Sequence, residues 1–181
     1  MPSDIILIGP QSVGKSTVGR LLAARLNLPQ VSMDELRWGY YDEIGYDKAL
    51  AEQKKREGAW SIIQYWKPFE AYAVERLLAD HSRCVIDFGA GHSVYEELAL
   101  FQRVQRALAA YPHVVLLLPS PDPNESLRIL HERNRMLPED IRRTNEHFVR
   151  HPANSILAKF TVYTKAKTPE ETCSEILELV A

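Results

Sequence analysis

The chain has 181 residues, 45% hydrophobic and 25% charged, and its 22 Lys and Arg against 24 Asp and Glu leave a net charge of −2. That length suits one domain with a substantial core, and the composition is that of a soluble globular protein. There is no basic excess to hold nucleic acid or an anionic membrane surface, and no apolar run approaches the ~20 residues of a membrane-spanning helix.

Met1-Pro2-Ser3-Asp4 leads into the first predicted strand without a signal-peptide pattern, so a cytoplasmic protein, monomeric or homodimeric, is expected. Ile5-Ile6-Leu7-Ile8 is a short apolar run suited to a strand buried on both faces. Gly9 to Ser16 then reads G-x-x-x-x-G-K-S, with Thr17 after it, and Val18, Leu21, Leu22 and Leu26 recur at helical spacing. Such a segment between a strand and a helix is a phosphate-binding loop. Its glycines let the backbone wrap an anion, and the first helical N–H groups have no intrahelical partner. The expected nucleotide contacts are Ser12, Val13, Gly14, Lys15, Ser16 and Thr17. Lys15 would reach the β- and γ-phosphates of ATP, and the Ser16 hydroxyl would ligate Mg²⁺.

Pro29-Gln30-Val31-Ser32 is a weak second strand ending at Met33-Asp34-Glu35. Residues 36–66 are the least regular part, with seven aromatics from Trp38 to Trp66 among charged residues. Pro68 suits the first turn of a helix whose apolar face holds Ala73, Val74, Leu77 and Leu78. Cys84-Val85-Ile86 is a third strand, closed by Asp87 and the loop 88–93, and Val94 to Leu108 reads as a long amphipathic helix. Val114 to Leu118 is the clearest strand, followed by a helix from Pro123 to Arg133. An arginine-rich segment comes next, then a helical stretch with His147, Arg150 and Asn154. Phe160-Thr161-Val162-Tyr163 is the fifth strand, and Thr168-Pro169 caps and opens the last helix. Five strands alternating with helices predict a three-layer α/β/α fold with a five-stranded parallel sheet. The two cysteines show no metal-ligand spacing and read as buried free thiols, and the six histidines are scattered. His92 and His147 are read as surface residues that could reach an acceptor pocket.

Gly14-Lys15-Ser16-Thr17-Val18-Gly19-Arg20, Asp34, Gly89-Ala90-Gly91 and Arg150-His151-Pro152 together resemble the shikimate kinase-like group of P-loop kinases, within the nucleoside monophosphate kinase-type folds. The resemblance implies phosphoryl transfer from ATP to a hydroxyl of a small molecule. Asp34 stands where the group has the aspartate that binds the acceptor hydroxyl and serves as a base, the reading preferred here because the carboxyl edge of the sheet is where ligands bind; it could also cap a helix. Gly89, Ala90 and Gly91 stand at the triple-glycine loop, and Arg150 at the arginine that grips a carboxylate. The group's metal-linked aspartate is Ser32 here, so Asp87, at the end of an apolar strand, is expected to order Mg²⁺; it could also cap the loop after it. The group's second acceptor arginine has no clear counterpart, and Lys67 is the nearest cation. Arg133 and Arg135 would close over the phosphates from a lid spanning about 132–150, or form a solvated face of it. Thr164, Lys167 and Pro169 would lie against the adenine. The acceptor-binding region is placed at about 33–80, where the aromatics suit a ring-containing acceptor. The acceptor should carry a hydroxyl and an anionic or polar group. A kinase of a nucleotide, an antibiotic or a sugar metabolite, and a nucleotide-dependent binding module with little turnover, are the alternatives.

Overall fold

The computed structural model describes residues 4–133 and 139–181. Strands β1 (Ile5–Ile8), β2 (Gln30–Ser32), β3 (Val85–Asp87), β4 (His113–Leu118) and β5 (Phe160–Tyr163) form one sheet in the order β2-β3-β1-β4-β5. Every pairing is parallel. β1 is buried along its whole length because helices cover both faces, which is why it reads as an unbroken apolar run. One core, with Ile6, Ile8, Val74, Leu77, Ile86 and Leu116, lies on one side of the sheet. The other, with Leu7, Leu22, Val115, Cys173 and Ile176, joins helices α1 (Lys15–Leu26) and α9 (Pro169–Leu179) to the opposite side. The three-layer architecture expected from the alternating pattern is therefore present. Thr168 caps α9 by accepting from the Glu171 N–H while the Glu171 carboxylate returns to the Thr168 N–H.

The stretch that looked irregular is helical: α2 (Met33–Glu43), α3 (Lys48–Glu57) and α4 (Ala59–Asp80) follow one another closely. Its periodicity was hidden because the aromatics pack on each other instead of forming an aliphatic stripe. Tyr41 meets Tyr46 at 5.5 Å between ring centres, and Tyr46 and Tyr65 each meet Phe69 at 5.3 Å. Asp47 caps α3, accepting from the N–H groups of Ala49 and Leu50. Pro68 sits inside α4 and not in a first turn. It deletes one backbone bond, and the buried row Ala71, Val74, Leu77 and Leu78 holds the helix regardless.

Downstream, Ala90–Ser93 is a single 3-10 turn, and α5 (Leu98–Leu108) starts four residues later than the apolar pattern implied. After α6 (Pro123–Arg133), the helical stretch around Arg150 is two helices, α7 (Glu139–Arg150) and α8 (Ala153–Leu157), parted at Pro152. Among the described residues no helix is long and apolar enough to cross a membrane.

Candidate active site

The loop from Gly9 to Gly14 leaves β1 at the carboxyl edge of the sheet and ends at the start of α1. Gly9 has φ 137°, and a Cβ there would run into the Leu117 carbonyl, so only glycine fits. Gly14 caps α1 with φ 108° and open space where a Cβ would be. Lys15 curls back into the loop, its Nζ donating to the carbonyls of Gly9 and Pro10 at 2.8 Å each. Burial lowers its pKa to about 8, while the charges of Asp34 and Asp87 act to raise it. On α7, Asn145 fastens the loop by accepting from the Gln11 N–H at 2.8 Å.

Asp87 ends β3 directly opposite Ser32 of β2. Its Oδ1 accepts from the Ser32 hydroxyl at 3.0 Å and from the Ser16 hydroxyl at 3.3 Å, and its Oδ2 accepts from the Gln30 amide at 2.5 Å. The oxygens of Ser16 and Asp87 thus sit together beside the phosphate loop. Such oxygen donors suit a hard divalent cation.

A cleft of about 960 Å³ opens in front of the loop. Ser12, Gly14, Lys15, Ser16 and Thr17 line one side, and Asp34, Gly89, Ala90 and Gly91 the other, so the structure brings together most of the residues expected from sequence. Val13 is buried behind the loop. Asp34, in the first turn of α2, is 60% exposed, whereas Ser32 occupies the cap position and makes no side-chain cap bond. A Cβ at Gly89 would stand 2.6 Å from Asp34 Oδ1 and 2.7 Å from His92 Nδ1, so a side chain there would force those groups to shift. Gly91 is likewise pressed against the Glu70 carboxylate.

Several expected residues lie elsewhere. Lys67 is buried beneath the cleft, donating to Glu70 Oε2 at 2.6 Å and to the Gly91 carbonyl at 2.9 Å, so it supports the loop 89–91 from behind and does not line the cleft. Arg150 is exposed on α7, bonded to Glu146 at 3.0 Å and to Asn124 of α6 at 2.6 Å, and the cleft lining does not include it. The helical phase of α7 explains this: Thr144 and Phe148 point into the cleft, and Arg150 turns outward. Arg133 is exposed at the end of α6, and Arg135 lies outside the described residues. Thr164 is buried after β5 with its hydroxyl unpartnered, Lys167 pairs with Glu175, and Pro169 opens α9; none of the three lines the cleft.

Among the polar cleft residues, Arg37 and Glu70 were not singled out from the sequence, and His92 was named only as a surface residue that could reach an acceptor pocket. Arg37 is one turn beyond Asp34, 3.6 Å from its carboxylate, and stacks over Trp38 at 4.4 Å and Trp66 at 5.5 Å. Its Nε is buried without a partner. Glu70 contributes a buried carboxylate. His92 is fully buried, contrary to the surface reading, with Nε2 3.3 Å from the Tyr41 hydroxyl and Nδ1 unpartnered; burial lowers its pKa to about 4, so the ring is neutral. The three-residue step from Asp34 to Arg37 on one helix was the only signal available. Of the aromatics from Trp38 to Trp66, Trp66 alone lines the cleft.

A family model described as shikimate kinase matches residues 11–181. The shikimate kinase of Streptomyces coelicolor is 30% identical over 186 aligned residues, covering 97% of this chain and 94% of that protein. Among solved structures, the shikimate kinase of Aquifex aeolicus superposes with a TM-score of 0.60 at 27% identity, covering 98% of this chain and 95% of that one. The shikimate kinase of Acinetobacter baumannii in complex with shikimate superposes with a TM-score of 0.68 at 19% identity, covering 98% and 92%. Sheet order, phosphate loop and sequence match agree: the chain belongs to the shikimate kinase family and is a P-loop small-molecule kinase.

Proposed function

We propose that this kinase moves the γ-phosphate of ATP, in the presence of Mg²⁺, to a hydroxyl of a small acceptor that also carries an anionic group. The observation that carries the reading is one cleft lined together by Lys15 and Ser16 of the phosphate loop and by Asp34, Arg37 and the loop 89–91. In the transfer the acceptor oxygen forms a bond to the γ-phosphorus and the bond to the β–γ bridging oxygen breaks, releasing ADP. Asp34 accepts the hydroxyl proton. Lys15 exchanges its two carbonyl partners for phosphate oxygens and neutralises charge there. Ser16 and Asp87 would hold Mg²⁺, which screens the phosphate charge when bound. Residues 33–80 form the acceptor side, and the segment about 132–150 acts as the lid.

Arg37 takes the anion-holding role that the resemblance implied for Arg150. It lines the cleft, its guanidinium is pre-oriented by two indole rings, and its Nε lacks an acceptor. A carboxylate on the acceptor would supply one in a two-point fork. A ring-stacking acceptor is less favoured, because most of the aromatics are occupied with one another. Acceptor-dependent ADP release, measured across hydroxy acids such as shikimate and their neutral esters, tests the reading. Turnover with hydroxy acids supports it; ATP hydrolysis indifferent to every acceptor contradicts it.

A further inference from the structure

Next to Phe148, which lines the cleft, Glu96, His147 and His151 converge with one ligand-capable atom of each within 4.8 Å of the others. His147 and His151 stand four residues apart, and the His151 N–H donates to the His147 carbonyl at 2.9 Å, so the helical turn of α7 extends through both. Two imidazoles at this spacing lie on one helix face and can chelate a single ion. Glu96 comes from a different part of the chain, the segment between the 3-10 turn and α5, and accepts from His147 Nε2 at 2.6 Å. Gln64 donates to the other Glu96 oxygen at 3.0 Å and fixes the carboxylate. None of these groups is used in the proposed phosphoryl transfer.

We propose that Glu96, His147 and His151 form a second cation site, selective for a borderline-soft divalent ion of the Zn²⁺ class and separate from the Mg²⁺ position at Ser16 and Asp87. Two imidazoles and one carboxylate are the ligand set such an ion takes, with water completing the shell, whereas Mg²⁺ prefers an all-oxygen site and keeps its waters. Ligation through His147 Nε2 moves that ring's proton to Nδ1 and replaces the Glu96–His147 hydrogen bond with two metal bonds. His151 Nδ1 now accepts from the Ala153 N–H at 3.1 Å, and capture of the ion by this ring gives up that one neutral bond. The consequence is mechanical. Glu96 lies just beyond the turn that carries Gly91 and His92, while α7 carries Thr144 and Phe148, so the ion ties together two walls of the cleft.

Trp60, at the start of α4, packs edge-on against His147 with ring centres 4.9 Å apart and supplies a reporter. The full-length protein, in excess Mg²⁺ to saturate the phosphate-loop position, is titrated with Co²⁺ while tryptophan emission and visible absorption are followed. The expected result is saturable one-to-one quenching with Co²⁺ ligand-field bands, both reversed by Zn²⁺ and not by more Mg²⁺. His151→Gln and Glu96→Gln should each weaken binding tenfold or more, and Trp60→Phe should remove the quench but keep the absorption bands. Metal-free melting curves check that the variants are folded. Quenching that never saturates, that survives in Trp60→Phe, or that is unchanged in folded His151→Gln overturns the site.

Discussion

Ser32 and Asp87 stand opposite each other on neighbouring parallel strands, and the Ser32 hydroxyl donates to Asp87 Oδ1 at 3.0 Å. The same carboxylate oxygen accepts from Ser16 of the phosphate loop. Ser32 therefore orients the carboxylate, and Asp87 supplies the negative charge. Asp87→Asn should raise the Mg²⁺ concentration needed for half-maximal turnover by about tenfold, the loss of one charged ligand amounting to ~1.4 kcal/mol or more. Ser32→Ala should raise it much less. Activity against Mg²⁺ concentration checks this, and equal shifts in the two variants would refute the division of roles.

Lys15 gives a pH dependence. Its buried ammonium loses its proton near pH 8 in the empty loop, lower than an exposed lysine, and phosphate oxygens bind the protonated form. A depressed pKa in the free protein means that binding takes up a proton above it. ATP affinity should hold below about pH 8 and weaken by up to roughly tenfold per unit above it. Lys15→Met should bind weakly with no such slope. Equilibrium titration at several pH values decides it, a flat wild-type profile being the contrary result.

Lys67 and Glu70 are a buried pair, their side chains 3% and 5% exposed. Removing one partner leaves a buried charge, at a cost of ~3–5 kcal/mol. Lys67→Ala should therefore lower Tm by roughly 10 °C in a chain of this size. Lys67→Met with Glu70→Gln should recover much of that loss. A Lys67→Ala protein that melts like wild type but binds acceptor poorly would instead return Lys67 to the acceptor site.

How far the sequence was legible follows from the range of the forces involved. The five strands and the phosphate loop rest on local pattern, apolar runs and a fixed glycine spacing, and they appear where expected. The second half of α4 showed in its apolar face of Ala73, Val74, Leu77 and Leu78, but α2, α3 and the start of α4 did not, because Trp38, Tyr41, Tyr46 and Phe69 pack on one another and break the usual stripe. Glu70 reads as a solvent-facing helix residue until Lys67 and Gly91 are packed against it. Arg150 lies in a matching local motif, but the phase of α7 and the contact with Asn124 turn it away. Arg37 becomes recognisable only when α4 brings Trp66 beside it.

Gly89 tests the tightness of the acceptor side. Gly89→Ala places a methyl group against Asp34 Oδ1 and His92 Nδ1, so the aspartate must shift. Acceptor KM should rise by about tenfold or kcat fall by a similar factor, since small displacements of a reacting group are costly. ATP affinity should be unchanged, and a matched fall in ATP affinity would show that the loop contacts the nucleotide instead.

The most direct test of the central claim is mass-resolved detection of a phosphorylated acceptor in wild type and in Asp34→Asn, with ATP, Mg²⁺ and a panel of hydroxy acids. Wild type should convert at least one hydroxy acid with one ADP released per product. Asp34→Asn, folded and still binding ATP, should lose roughly 100-fold or more in kcat, the contribution of a positioned general base. Equal product formation by wild type and Asp34→Asn, or ADP release with no phosphorylated acceptor in either, would contradict the assignment of this cleft as the place where phosphate is transferred to a hydroxyl.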